Sequence, residues 1–344
     1  MNCFKSNGKF LLTGEYLVLK GATALALPLA LGQSMEVEIL DSNDGRIYWE
    51  ALLKPAVNGL WSTDIVHSEI PWFKVVLDKR DFSVVATDDK ERAERLSDIL
   101  SKAKRLNETL FDEPSDYKFC TYLDFDPHWG LGSSSTLINN IAEWANINPY
   151  LLLDETFKGS GYDIACAKAE SPIFYQINES TGQRVNESRA ANFNPSFKDN
   201  IYFIYQGHKQ NSANEVKAFL DKKKNYDREI KSISEISRII PDIQTLSDFN
   251  YFIKVHEEIM SSCLERKRHI FNIFFKVVFH TLIPFYFCNF SENFFQIITM
   301  IPGSKGQIKD MVLVVTALIS GSLCETTASP ISLLFTSFRR NSHS

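Results

Sequence analysis

The chain has 344 residues, of which 44% are hydrophobic and 23% charged, and a formal net charge of −5 at neutral pH. That length allows two domains of ordinary size with a substantial core, in the composition of a soluble globular protein. A mildly acidic chain has no electrostatic footprint for nucleic acid, so a nucleic-acid partner is excluded. The cysteines (Cys3, Cys120, Cys166, Cys263, Cys288 and Cys324) are scattered, with no C-x-x-C pair and no His cluster at zinc spacing. Free thiols in a reducing cytoplasm fit that pattern. The start, Met1-Asn2-Cys3-Phe4-Lys5, lacks the apolar core of a secretory signal, so a cytoplasmic location is expected.

The first segment with chemical content runs Gly8-Lys9-Phe10-Leu11-Leu12-Thr13-Gly14-Glu15-Tyr16, followed by Gly21-Ala22 and an Ala/Leu run to Pro28. Its glycines flank apolar stretches, as in strands joined by tight turns, and Lys9 and Glu15 are charges set in otherwise buried-looking sequence. A solvated turn lysine and a surface glutamate fit the same residues. Apolar and polar residues then alternate through Met35 to Ile39 and through Tyr117 to Phe125, which predicts half-buried strands. Between them Leu96, Ile99, Leu100, Ala103 and Leu106 recur at helical spacing in a charged stretch from about Asp88, which predicts an amphipathic surface helix.

Next comes Trp129-Gly130-Leu131-Gly132-Ser133-Ser134-Ser135-Thr136. Leu137, Ile138, Ile141, Ala142 and Ala145 mark one face of the helix it enters, with Asn148-Pro149 as the expected stop. Glycines let a backbone approach an anion, a helix N-terminus offers unpaired N–H groups, and serine hydroxyls bind phosphate or a hard cation. The loop lacks the Gly-Lys-Ser/Thr ending of a Walker A motif and the third glycine of a dinucleotide fingerprint. A glycine turn with a serine N-cap remains the alternative. Further on, Lys158-Gly159-Ser160-Gly161-Tyr162-Asp163 places Asp163 near the start of an Ala-rich helix, where it serves either as a helix cap or as a functional carboxylate favoured by the helix dipole.

A strand is expected at Ile173 to Ile177. The polar stretch from Asn178 to Asn200 has no strong periodicity and is taken as the boundary between a domain of residues 1–190 and a second of residues 200–344. Ile201 to Tyr205 reads as a strand and Ala213 to Lys224 as a helix. From about Glu265 the texture changes: nine of the chain's 26 phenylalanines fall between Phe271 and Phe295. Lys276, His280 and Pro284 interrupt that segment, so it lacks the clean apolar run of a membrane span, and no membrane association is expected.

The three glycine-containing segments, in this order, resemble the GHMP kinases, the superfamily of galactokinase, homoserine kinase, mevalonate kinase and phosphomevalonate kinase. Gly8 to Gly21 looks like the family's first motif and Gly130 to Ser135 like its Gly-Leu-Gly-Ser-Ser core. Gly159 to Asp163 looks like the phosphomevalonate kinase form of the catalytic segment, and Gly-Tyr-Asp-Ile-Ala matches a bacterial subgroup named for those letters. The resemblance implies an α+β fold, with a ribosomal-S5-like N-terminal domain, a ferredoxin-like C-terminal domain and nucleotide between them.

It further implies a kinase that uses ATP and Mg²⁺ to phosphorylate a hydroxyl or phosphate of a small-molecule substrate. Gly130, Leu131, Gly132, Ser133, Ser134 and Ser135 would wrap the ATP phosphates, and Ser134 and Glu155 would help hold Mg²⁺. Asp163 would orient or deprotonate the acceptor hydroxyl, and Lys9 would keep it ionised. Glu15, Tyr16 and Lys209 would face the substrate. Trp61 and Trp72 lie where relatives contact the nucleotide base, although both also read as surface or core aromatics. Pro127 sits one residue closer to Gly130 than in the family. The family's third, C-terminal Gly-rich motif is absent, Gly303-Ser304-Lys305-Gly306 being the nearest match. That loss coincides with the composition break, and a shifted reading frame after about residue 265 accounts for both; a family-like continuation in another frame of the coding DNA would establish it. A defective relative that binds nucleotide without turnover is the second functional reading.

Overall fold

A computed structural model of the protein describes residues 2–265 apart from 54–55, 58–59, 62–69, 158, 181–182, 202–211 and 223. The expected strand after Ile201, Lys209 and the whole anomalous tail lie outside the described residues. Two long strands begin the fold, β1 (Asn2–Thr13) and β2 (Ala24–Leu40). After β3 (Arg46–Leu53), a short ribbon pairs β4 (Ala56–Val57) with β5 (Leu60–Trp61). There follow β6 (Phe73–Asp78), β7 (Val84–Thr87), α1 (Lys90–Leu106) and β8 (Asp116–Leu123). The chain continues through α2 (Ser133–Trp144), α3 (Pro149–Thr156), α4 (Tyr162–Lys168) and the hairpin β9 (Ile173–Ser180) and β10 (Gln183–Ala190). It then enters α5 (Ser212–Leu220), α6 (Asp227–Ile239) and α7 (Leu246–Leu264).

Eight strands form one mixed sheet in the order β10-β9-β2-β8-β3-β6-β7, with β1 paired to β2. Every pairing in it is antiparallel except that of β3 with β8. The architecture is therefore α+β, as expected. β2 organises it: β1 runs along one edge, while β8 takes Gln33 to Leu40 of the other and β9 takes Ala24 to Ala26.

The helices cover the sheet as their sequences dictate. In α1 the Asp89 side chain caps the start by accepting from the Arg92 N–H at 3.0 Å, and Ala93, Leu96, Ile99, Leu100 and Ala103 are buried. These residues join Trp49, Phe73, Phe119, Ile138, Ile141 and Leu152 in the main core, where each large apolar side chain contributes roughly 1.5–3 kcal/mol. A second core gathers α5, α6 and α7 around Leu17, Ala22 and Leu25 of the first motif. Beside its apolar residues, α2 buries a polar stripe: Thr136, Asn139 and Asn140 are buried and bond to Ser6 of β1 and Gln33 of β2. Paired buried amides hold one register where an apolar face would tolerate several.

One expectation is corrected, and one strand is added. Asn148-Pro149 does not end α2, which stops at Trp144; it opens α3, with the Asn148 side chain accepting from the Tyr150 N–H at 2.9 Å and Pro149 in the first turn, where its missing N–H costs nothing. The polar stretch after Asn178, which shows no periodicity in the sequence, contains β10, which pairs with β9 throughout, belongs to the main sheet and ends at Ala190, the last residue of the expected first domain. β10 is an outermost strand, and its described side chains from Val185 to Ala190 are exposed or half-buried, so no buried face imposes an alternating pattern.

β1 and β2 approach too closely for any side chain at Gly32, whose Cβ would lie 2.2 Å from the Ser6 carbonyl oxygen. Gly32→Ala is expected to cost about 1–3 kcal/mol by forcing the strands apart. Urea denaturation checks this, and an unchanged midpoint would show that the pair yields without cost.

Candidate phosphate-binding site

The site begins with an irregularity in the first strand pair. Asn7 faces Gly32 and Lys9 faces Pro28, so Gly8 alone stands opposite the intervening β2 residues. Pro28 has no N–H to give a ladder, which suits a break in register there. The break frees the Lys9 N–H, which donates to the Leu131 carbonyl at 2.9 Å and ties β1 to the Gly-Ser loop. Gly8 leaves room for that contact, since a Cβ there would lie 3.0 Å from the same Leu131 oxygen.

The loop is entered through a short 3-10 turn, Pro127–Trp129, capped by Asp126, whose side chain accepts from the His128 N–H at 2.8 Å. Gly130 (φ 74°) and Gly132 (φ 99°) both occupy the left-handed region, which glycine adopts without strain. Gly132 is also the N-cap of α2, and it makes no side-chain cap hydrogen bond. The first N–H groups of α2 are thus left uncovered by a capping side chain, the arrangement that receives anions. Ser134 is exposed and Ser133 half-buried, while Ser135 is only 7% exposed.

Ser135 turns inward: its hydroxyl donates to Asp163 Oδ2 at 2.7 Å. Asp163 sits in the first turn of α4, behind Gly161 (φ 85°), where a Cβ would meet the Tyr175 hydroxyl at 2.9 Å. The loop and the aspartate, 28 residues apart, are therefore joined directly. Lys9 completes the group indirectly. Its ammonium donates to the Tyr162 hydroxyl at 2.7 Å and lies 5.1 Å from that ring's centroid; it makes no direct ion pair with Asp163. Burial alone would lower the Lys9 pKa, but the Tyr162 hydroxyl and the Asp163 carboxylate outweigh it and hold it above the ordinary lysine value. Burial likewise pushes the Tyr162 phenol up to about 12 and, with Asp163, the Cys166 thiol up to about 12, so that thiol stays protonated and unreactive.

The other candidate residues lie apart from this group. Glu155 is paired with Arg105 across α1 and α3, and none of its contacts reaches Ser134. Glu15 and Tyr16 form the turn after β1, where Glu15 faces His256 at 3.2 Å and the Tyr16 ring lies 5.5 Å from Phe219. Trp72 lines a cavity of about 260 Å³ with Leu53, Arg92, Asp126, Pro127 and His128, directly beside the entry to the loop. The Arg92 guanidinium lies 5.1 Å from the Trp72 ring, and the buried indole N–H has no partner among the described residues. Tyr162, Arg92 and His256 escaped sequence reasoning. Tyr162 stood inside a quoted motif but has no role until Lys9 is seen to reach it, and the other two are single polar residues on helices with no local signal.

The fold defines the chain as an α+β protein. It shares that fold with mevalonate and phosphomevalonate kinases. Mevalonate kinase from Methanococcus jannaschii matches at a TM-score of 0.52 and 13% identity, over 76% of this chain and 79% of that one. Phosphomevalonate kinase from Streptococcus pneumoniae, in a structure with phosphomevalonate and AMPPNP, matches at 0.53 and 13%, over 76% and 80%. The Lin0012 protein of Listeria innocua matches at 0.52 and 16%, over 79% and 82%. No family model and no curated protein matches the sequence. Among the described residues no helix is long and apolar enough to cross a membrane.

The Ser135 hydroxyl is buried and bonded to a carboxylate, the stronger kind of hydrogen bond. Ser135→Ala is expected to destabilise the fold by about 1.5–3 kcal/mol, read from chemical denaturation. A variant as stable as the parent would mean that Asp163 finds its partner elsewhere.

Proposed function

We propose that the chain is an ATP-dependent kinase that transfers the γ-phosphoryl group to a hydroxyl or phosphate of a small metabolite, of the kind handled by mevalonate and phosphomevalonate kinases. The observation that carries this reading is the Ser135–Asp163 hydrogen bond. It sets a carboxylate suited to orienting an acceptor against the glycine loop and helix N-terminus suited to receiving phosphates. Phosphoryl transfer needs little covalent chemistry from a protein and much positioning and charge stabilisation, which is what these groups offer.

In this reading the Gly130 to Ser135 backbone receives the ATP phosphates. The base enters the cavity lined by Trp72 and Arg92, where the indole offers an aromatic face. The donors at the loop suit Mg²⁺, which takes hard oxygens and one or two carboxylates alongside substrate phosphates. Ser134 is exposed and available, while Glu155 is held by Arg105 instead. Bound there, the ion would neutralise phosphate charge. Asp163 orients the acceptor hydroxyl and takes its proton, and Lys9, anchored on Tyr162, adds positive charge next to the loop.

Purified protein is expected to transfer phosphate from ATP to a member of a panel of alcohols and phosphorylated alcohols that includes mevalonate and phosphomevalonate. Asp163→Ala is expected to lower turnover by about 10²–10⁴-fold with ATP affinity unchanged. Trp72→Ala is expected to weaken ATP binding by about two- to tenfold, the worth of one aromatic contact, in isothermal titration. No turnover across the panel with ATP binding intact would establish the second reading, a nucleotide-binding relative without catalysis; no ATP binding would overturn both.

A further inference from the structure

The turn that follows β1 has a backbone that needs outside support. Tyr16 has φ 54° and ψ −45°, and the Leu17 N–H donates across it to the Glu15 carbonyl. This is a γ-turn of the rare positive-φ kind, a conformation costing roughly 1–3 kcal/mol that persists only where the surroundings impose it. Gly14 precedes it at φ 90°, where a Cβ would lie 2.8 Å from that of Ala24.

The support comes from the C-terminal helices. On α6, the Ser237 and Thr13 hydroxyls are 2.7 Å apart, the Ser234 hydroxyl accepts from the Thr23 N–H at 2.9 Å, and the Arg238 guanidinium donates to the Thr23 hydroxyl at 2.9 Å. On α5, Phe219 packs against the Tyr16 ring. At the apex stands His256 of α7, with no exposed side-chain surface. Its Nε2 is 3.2 Å from Glu15 Oε2 and 3.0 Å from the Gly14 nitrogen, and its Nδ1 is 3.2 Å from Glu257 Oε1.

Nε2 cannot serve both neighbours at once. Unprotonated, it accepts from the Gly14 N–H and turns a lone pair toward the Glu15 carboxylate. Protonated, it pairs with that carboxylate and leaves the Gly14 N–H facing another N–H. Charge decides between them. Among the described residues Glu15 Oε2 and Glu257 Oε2 are inaccessible atoms without hydrogen-bond partners, each on a half-buried side chain, and two such carboxylates against one ring with no cation between them cost more than one unmade backbone bond. Glu15 from the turn and Glu257 from α7 are the charged groups on the ring, while α6 sends its own cation, Arg238, to Thr23. Burial alone would lower the ring's pKa, and the two carboxylates outweigh it and raise it.

We propose that His256, as an imidazolium shared by Glu15 and Glu257, is a positioning residue that latches the strained Gly14–Tyr16 turn, so that the shape of this turn depends on the docking of α7. Its relevance to phosphoryl transfer rests on the proposed function; the latch itself does not. The test therefore uses the full chain without ATP or acceptor.

In ¹⁵N-histidine-labelled protein, one of the seven imidazoles is expected to keep both ring nitrogens protonated at a pH about one to two units above the ordinary histidine value of roughly 6.5. That signal should vanish in His256→Gln, which assigns it, and titrate at lower pH in Glu15→Gln. Hydrogen exchange of amides 12–23 should quicken by about tenfold or more in His256→Gln while those of α1 stay unchanged, the mark of local release. Should every imidazole of the parent lose its charge near the ordinary value, the charged latch is wrong, and this measurement stands even if the variants do not fold. Unchanged exchange in a folded His256→Gln protein would overturn the positioning role. Neither result bears on ATP binding, so a failure here is distinguishable from a failure of the kinase reading.

Discussion

The contact between β1 and the Gly-Ser loop constrains everything built around it. A Cβ at Gly132 would lie 2.9 Å from Lys9 Cγ, so the loop closes over the lysine side chain only because residue 132 has none. The Lys9 N–H then fastens the two backbones through Leu131. Both contacts need β1 to leave its ladder with β2 at Gly8, and that break in turn accommodates Pro28. A strand of regular register would keep the Lys9 N–H in the sheet. The irregularity thus does what a bulge beside a functional site does, re-aiming one residue at the expense of local pairing.

Beneath the loop, polar burial sets the angle at which α2 presents its N-terminus. Ser6 bonds to both Asn139 and Asn140, and Gln33 receives the Thr136 hydroxyl. One oxygen in the network, Asn139 Oδ1, has no partner among the described residues. A helix seated on apolar side chains can rotate by a few degrees at little cost, whereas one seated on paired amides loses hydrogen bonds as it turns. The direction of the uncovered N–H groups is therefore fixed from below, by residues that never reach the loop.

How much of this the sequence discloses depends on whether a pattern is local. α1 and α2 follow from their apolar spacing, and the loop from its glycines, because each is written within about a dozen residues. β10 was missed because an edge strand need not alternate, and the start of α3 because Asn-Pro is both a stop and a cap. Within the site, Asp163 and Lys9 are legible as charges that act on one another, but the groups that hold them are not: Tyr162 takes the ammonium and Ser135 the carboxylate. His256 was illegible altogether, since its partner Glu15 lies 241 positions away in the numbering, and only the packing of α7 joins them.

Holding the two charges on separate hydroxyls has an electrostatic consequence. A lysine in direct contact with a carboxylate would satisfy it, and each charge would cancel much of the other's field at short range. Here each charge is instead held by a neutral group, the ammonium by a phenol and the carboxylate by a serine hydroxyl. They remain close enough that Asp163 raises the Lys9 pKa, yet neither occupies the other's hydrogen-bonding positions. The ammonium keeps donors beyond the one given to Tyr162, and the carboxylate keeps acceptor sites beyond the one used by Ser135. A site that must meet a negatively charged group with one residue and an O–H with the other needs both charges present and neither consumed. Hydroxyl spacers achieve that separation within a single half-buried cluster, and they require close packing around Gly132 and Gly161.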